Sequence, residues 1–274
     1  MTTAGQPPRF VHSPDGTPIA LFESGPADGP PLILVHGATS DHTTFRVVGP
    51  RLAERFRIYA VDRRGRGASG DGPLYAIERE FEDVATVADT VAAETDRSVV
   101  VVGHSYGGRV GLGAALRSSA IGRVVSYEGA PTPEGQSYHS RATVAALGAL
   151  ADAGDLDGLL TLFMTAVVGM PEAELTAFRA DPVWPLRRAA ARTIVREIDA
   201  EGDPAASLGA LSAVRVPVLQ ILGGAGLETF GEATRALDAR LSNGHVVVIS
   251  GARHAAHHTH PDEFVTAVAR FVVG

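Results

Sequence analysis

The stretch VVVVGHSYGG, Val99 to Gly108, decides the fold. Its four consecutive valines are continuous rather than alternating in apolarity, which marks a strand covered on both faces. The run ends in Gly-x-Ser-x-Gly and passes at once into a helix-like segment, Tyr106 to Arg117. A strand turning that sharply into a helix forces its central residue into a strained backbone conformation. Side chains two places either way would collide, and Gly103 and Gly107 meet that need. Ser105 is thereby lifted above the strand ends, with the first N–H groups of the new helix aimed at the same spot. The bland alternative, a glycine-rich turn with an incidental serine, is disfavoured by the strand and helix signals on its two sides.

Working outward, further β-branched runs end in turn residues: Leu32 to His36, Arg57 to Val61, Arg123 to Tyr127, Val218 to Leu222 and Val246 to Ser250. Helical patterns fall between them at Thr43 to Glu54, Glu78 to Thr95, Glu228 to Leu241 and Pro261 to Val272. The class is therefore α/β, a mostly parallel sheet between helix layers. Before it, RFVHS and IALFES flank PDGTP, where Asp15-Gly16 predicts a hairpin and an antiparallel edge. The rhythm breaks between Tyr127 and Val216, a span with amphipathic stretches and no convincing strand. Residues 1–130 and 215–274 are expected to form the core, and residues 131–214 a helical cap over the strand ends. The many apolar residues of this insert, Phe163 and Trp184 among them, mostly pack it onto the core. Some should face the cleft, which predicts an apolar pocket.

Composition limits the chemistry. The chain of 274 residues is long enough for a sizeable core and a closed pocket. It has no lysine, which excludes both a phosphate-binding P-loop lysine and a Schiff-base lysine. It also has no cysteine, so disulfides, thiolate metal sites and cysteine nucleophiles are excluded. The formal charge of -7 and the scattered arginines argue against nucleic-acid binding. The first residues have no basic start followed by an apolar stretch, and no later segment is long enough to span a bilayer. A cytoplasmic, soluble protein is expected.

Four segments in this order resemble the α/β-hydrolase family. LILVHGATSDHTTF is similar to its His-Gly loop, VDRRGRGAS to its Asp-x-Arg-Gly-x-Gly-x-Ser turn and GHSYGG to its nucleophile elbow. ISGARHAAHHTHPDEF is similar to the segment carrying its catalytic histidine. The resemblance implies an α/β-hydrolase fold with an eight-stranded sheet and a cap inserted after the sixth strand. It implies Ser105 as nucleophile, His254 as general base, and the backbone N–H groups of Ala38 and Tyr106 as oxyanion hole. No cofactor is implied. His36, Gly37, His104, Phe163 and Trp184 are the candidate pocket residues, although His36 and His104 also admit a structural reading as partners of loop backbone.

The family's usual acid position after the seventh strand is Gly226 here, so the triad lacks its expected carboxylate. Glu128, at the carboxyl end of RVVSY beside the seventh strand, is the preferred replacement; Glu228 and no acid at all remain open. The tract HAAHHTH could be read as a metal site, but its histidines lack carboxylates in a ligand pattern, and no metal is expected. GRGASG, Gly65 to Gly70, matches a dinucleotide-binding pattern, yet the DGP that follows prevents it from opening a helix. Asp62 and the arginines after it are expected to lock that turn.

The expected activity is a serine hydrolase cleaving a small or medium carboxylic ester, thioester or lactone through an acyl-enzyme. The alternatives are a cofactor-free lyase and a catalytically silent small-molecule binder on the same fold. The expected partner is a small-molecule substrate, with no nucleic acid and no membrane; a homodimer is admitted.

Overall fold

The computed structural model describes residues 7–274. The reading of the extreme N-terminus as free of a leader falls partly on residues 1–6, outside the described residues. The strands are β1 (Arg9–His12), β2 (Pro18–Ser24), β3 (Pro31–Val35), β4 (Arg57–Val61), β5 (Val99–His104), β6 (Ile121–Tyr127), β7 (Val218–Gly223) and β8 (Gly244–Ile249). They form one sheet in the order β1-β2-β4-β3-β5-β6-β7-β8. β1 and β2 make the expected hairpin, β2 pairs antiparallel with β4, and all later pairs are parallel.

The helices are α1 (Gly49–Leu52), α2 (Ile77–Thr95), α3 (Tyr106–Ala115), α4 (Arg141–Asp152), α5 (Leu156–Leu162), α6 (Glu172–Ala180), α7 (Trp184–Ala190), α8 (Ile194–Ala200), α9 (Leu208–Leu211), α10 (Glu228–Asp238), α11 (Ala256–Thr259) and α12 (Pro261–Val273). The single helix expected over Thr43 to Glu54 is instead a short 3-10 turn, His42–Phe45, and the one-turn α1. Pro50 explains the break, because it starts a helix readily but has no N–H with which to continue one.

Successive residues of a strand point to opposite faces, and the two faces carry separate apolar layers. Val99 and Val101 pack with Phe81 of α2 and Val110 of α3, whereas Val100 and Val102 pack with Phe264 and Val268 of α12. This two-sided cover is what the continuous valine run required. Between β6 and β7, helices α4 to α8 have an apolar cluster of their own, including Leu147, Leu160, Phe163 and Trp184. The end of the expected insert packs differently: Ala206, Leu208, Leu211 and Val214 join the layer under α2 and α3.

The turn after β4 ties these parts together. Asp62 accepts from the backbone N–H groups of His42 and Ala68, both at 2.8 Å. Buried Arg63 pairs with Glu80 of α2 at 2.6 Å and with Glu197 of α8 at 2.7 Å, and Arg66 reaches the same Glu197 oxygen at 2.6 Å. The arginine-rich turn thus joins sheet, α2 and α8 through one buried charge cluster. Gly65 to Gly70 opens no helix, in keeping with the structural reading of that segment. Among the described residues, no helix is long and apolar enough to cross a membrane.

Candidate active site

Ser105 sits between β5 and α3 with φ 54° and ψ −125°, a conformation that few L-residues adopt. Its flanking glycines are obligatory by contact. A Cβ on Gly103 would lie 2.2 Å from the Gly107 carbonyl oxygen, and one on Gly107 would lie 2.3 Å from that of Val35. The Ser105 N–H donates to Tyr127 O at 2.7 Å, tying the turn to the end of β6.

The next residue along, Glu128, also has positive φ, 48°. Its N–H donates to Ile221 O at 3.1 Å, and its buried carboxylate is turned toward β7. Oε1 accepts from the Gly223 N–H at 2.8 Å, and Oε2 is hydrogen-bonded to Nδ1 of His254. The loop carrying His254 is clamped from below. His104 Nε2 donates to His254 O at 2.8 Å, while the Tyr127 hydroxyl donates to Arg253 O and accepts from Ala256 N–H at 2.9 Å. Phe230 stacks on the His254 imidazole, centroids 4.6 Å apart and planes 13° from parallel.

Ser105, Glu128 and His254 line one cavity, and Ala38 and Tyr106 border it as well. Among the described residues, Ser105 and His254 share no hydrogen bond, and the backbone N–H groups of Ala38 and Tyr106 have no protein acceptor. In a ligand-free site such contacts are commonly long and tighten around a substrate. Glu228, the other acid considered, is exposed at the start of α10 and pairs with Arg235. The carboxylate at His254 comes from β6.

Of the expected pocket residues, Phe163 lines the cavity and the other four do not. His36 is buried and fully engaged, with Nδ1 bonded to Gly37 O at 2.8 Å and Nε2 accepting from Arg63 N–H at 3.0 Å. Gly37 provides close approach, since a Cβ there would lie 3.0 Å from Ser105 Cβ. His104 holds the His254 loop. Trp184 packs inside the helical insert, its indole N–H donating to Asp157 at 2.9 Å. Burial holds the imidazoles of His36 and His104 well below the ordinary histidine range, aided by Arg63 in the first case and His254 in the second. Among the described residues, no group of histidines and acids is arranged to hold a metal ion.

The cavity is not the apolar pocket the insert composition predicts. Phe163, Val167, Ile194, Ile198 and Phe230 form an apolar wall, but Arg109, His139, Glu197 and Glu201 face the same space. Arg109 was legible in principle, being one helical turn after Ser105. The other three come from loop and insert positions with no local signal. The water-accessible volume is about 40 Å³, room for a water or two. The larger surface groove between α1 and α12 shares no residue with this site.

The profile described as "Alpha/beta hydrolase family" matches residues 32–267. The chain belongs to that family. The chain is 38% identical over 137 residues to a Mycobacterium tuberculosis protein named "Probable oxidoreductase EphD", a match covering 48% of this chain and 23% of that one. The chain thus spans under a quarter of that relative's length. A Neisseria meningitidis pimeloyl-[acyl-carrier protein] methyl ester esterase is 28% identical over 248 residues, covering 89% of this chain and 93% of that one. Among solved structures, an alpha/beta hydrolase from Sphaerobacter thermophilus superposes with a TM-score of 0.80 at 30% identity, covering 95% of this chain and all of that one.

Proposed function

We propose that this α/β-hydrolase is a serine hydrolase that cleaves a small or medium carboxylic ester, thioester or lactone through an acyl-enzyme. The observation carrying this reading is the hydrogen bond from His254 Nδ1 to Glu128 Oε2 at the rim of a cavity that also exposes Ser105. A carboxylate on Nδ1 fixes the tautomer that leaves Nε2 free to accept a proton, and it stabilises the imidazolium that results. The Glu128 carboxylate beside His254 favours this reading over a catalytically silent binder.

In the proposed reaction His254 Nε2 takes the Ser105 hydroxyl proton as Oγ attacks the substrate carbonyl carbon. The carbonyl oxygen gains the negative charge and is met by the N–H groups of Ala38 and Tyr106, the latter at the positive end of α3. Collapse of the tetrahedral intermediate breaks the bond to the alcohol or thiol, which leaves with the proton from His254. Water then repeats the sequence on the acyl-enzyme, with His254 as base, and restores Ser105. The family membership and the similarity to an esterase over 89% of the chain support the same reading.

A fluorophosphonate tests it directly. Covalent mass on Ser105 in the wild-type protein, and none in Ser105→Ala or Glu128→Gln, is the expected result. An unlabelled wild type, under conditions that label a known esterase, would refute the activated nucleophile.

A further inference from the structure

Which acyl groups the site accepts, on the hydrolase reading, depends on the charged side chains of its wall. Arg109 is 4% exposed, and its Nε, like that of Arg66, has no hydrogen-bond partner among the described residues; unlike Arg66, which holds Glu197 at 2.6 Å, it has no close carboxylate. Its two other polar contacts, to Ala130 O and Glu201 Oε1, are both at 3.5 Å. Arg63, by contrast, holds its carboxylates at 2.6 and 2.7 Å. Charge-assisted hydrogen bonds are short, about 2.8 Å, so apart from the Tyr138 ring that it covers at 5.6 Å the Arg109 guanidinium has no close partner. Leaving such donors buried and unmatched is costly unless something else satisfies them.

A second group repeats the pattern. The His139 side chain is 6% exposed, neither ring nitrogen makes a hydrogen bond of good geometry, and Nε2 lies 3.3 Å from Glu201 Oε2. Glu201 therefore touches both groups loosely while its own side chain is 23% exposed at the end of α8. All three residues line the cavity that holds Ser105. Arg109 follows Ser105 by one turn of α3, and its guanidinium meets Ala130 O, Glu201 and the Tyr138 ring on the wall of the same cavity.

We propose that Arg109 and His139 form an acid subsite, which receives a carboxylate at the far end of the substrate's acyl chain. Glu201 occupies the place of that carboxylate when the site is empty. The substrate class is the half-ester of a short dicarboxylic acid. Two or three methylenes between the reacting carbonyl and the free carboxylate keep the acyl chain short, as a cavity of about 40 Å³ requires. The planar guanidinium suits the two oxygens of a carboxylate, and the apolar wall of Phe163 and Ile198 covers the methylenes.

Monomethyl glutarate and methyl pentanoate, followed by pH-stat titration, separate the acid from the chain that carries it. The wild type is expected to favour monomethyl glutarate in kcat/KM by about tenfold or more, and Arg109→Gln to collapse that ratio. Glu201→Gln, which removes the resident competitor, is expected to raise the ratio and to tighten binding of glutarate measured by calorimetry. A merely structural Glu201 would give neither gain. No preference in the wild type, or a ratio and glutarate affinity unmoved by Glu201→Gln, overturns the subsite even if Arg109→Gln does not fold. Glutarate binding that is lost in Arg109→Gln, with neither ester turned over by the wild type, keeps the subsite and removes the hydrolase reading instead.

Discussion

Gly226 lies against the carboxylate of Glu128, so closely that a Cβ on the glycine would stand 3.3 Å from Glu128 Oε1. A side chain after β7 and a carboxylate at the end of β6 compete for the same space beside His254, and here the space is filled from β6. Glu128→Gln is expected to lower kcat by about ten-thousand-fold with little change in KM, as wrong-tautomer substitutions do. The double change Glu128→Gly with Gly226→Asp should recover at least about tenfold of that loss, because the carboxylate returns from the adjacent strand end. Steady-state kinetics on one ester decides it. Glu228→Gln, at an exposed residue paired with Arg235, should stay near wild type.

Strain at Ser105 is held for position, not stability. Its φ of 54° and ψ of −125° suit glycine better than serine. Ser105→Gly is therefore expected to raise the unfolding free energy by about 1 kcal/mol while abolishing turnover. Ser105→Ala should abolish turnover without that gain. Urea titrations of the three proteins read the difference, and equal midpoints for Gly and Ala would show that the turn is unstrained.

Phe163 and Trp184 separate pocket from packing. Phe163 belongs to a widened turn, Phe163–Val167, in which Val168 N–H reaches back to Phe163 O at 3.1 Å, and its side chain lines the cavity. Phe163→Ala should shift kcat/KM toward longer acyl chains. Trp184, T-shaped against Phe178 with centroids 5.3 Å apart, is buried in the insert. Trp184→Ala should cost about 3 kcal/mol and lower Tm, with the chain-length profile unchanged. Kinetics on an ester series alongside thermal melts would expose a shared role.

Buried neutral histidines make stability fall on the acid side. His36, His104 and His257 are held well below the ordinary range, chiefly by burial, and His258 is pushed down to about 4 by burial and by Arg46. The unfolded chain takes up these protons near pH 6.5 and the folded chain does not, so acid favours unfolding. The contribution is complete above about pH 6.5 and decays below it, by up to ~1.4 kcal/mol per pH unit for each histidine. For His258 the decay ends near pH 4. Urea midpoints at a series of pH values from neutral to mildly acidic should fall steadily, and His258→Asn should make the fall shallower. A flat profile would mean that these imidazoles protonate in place.

Local chemistry was legible in the residues themselves. Four valines in a row demand two covered faces, and Gly103-x-Ser105-x-Gly107 demands a turn too tight for larger neighbours, so strand, turn and helix follow within a few residues of chain. Pro50 was equally visible, and its missing N–H breaks the helix expected across it. Relations between distant segments were not legible in that way. Glu128 and His254 are 126 residues apart, and which of two glutamates meets the imidazole depends on β6 lying beside β7 and on positive φ turning the Glu128 side chain toward it. The insert's composition predicted an apolar pocket because composition averages over all faces of a helix. Only the packing of α8 decides that Ile194 and Ile198 share the cavity with Glu197 and Glu201, opposite an Arg109 contributed by α3. Hydrophobic patterning is a property of neighbours along the chain, whereas the charge lining a cavity is set by where separate elements meet.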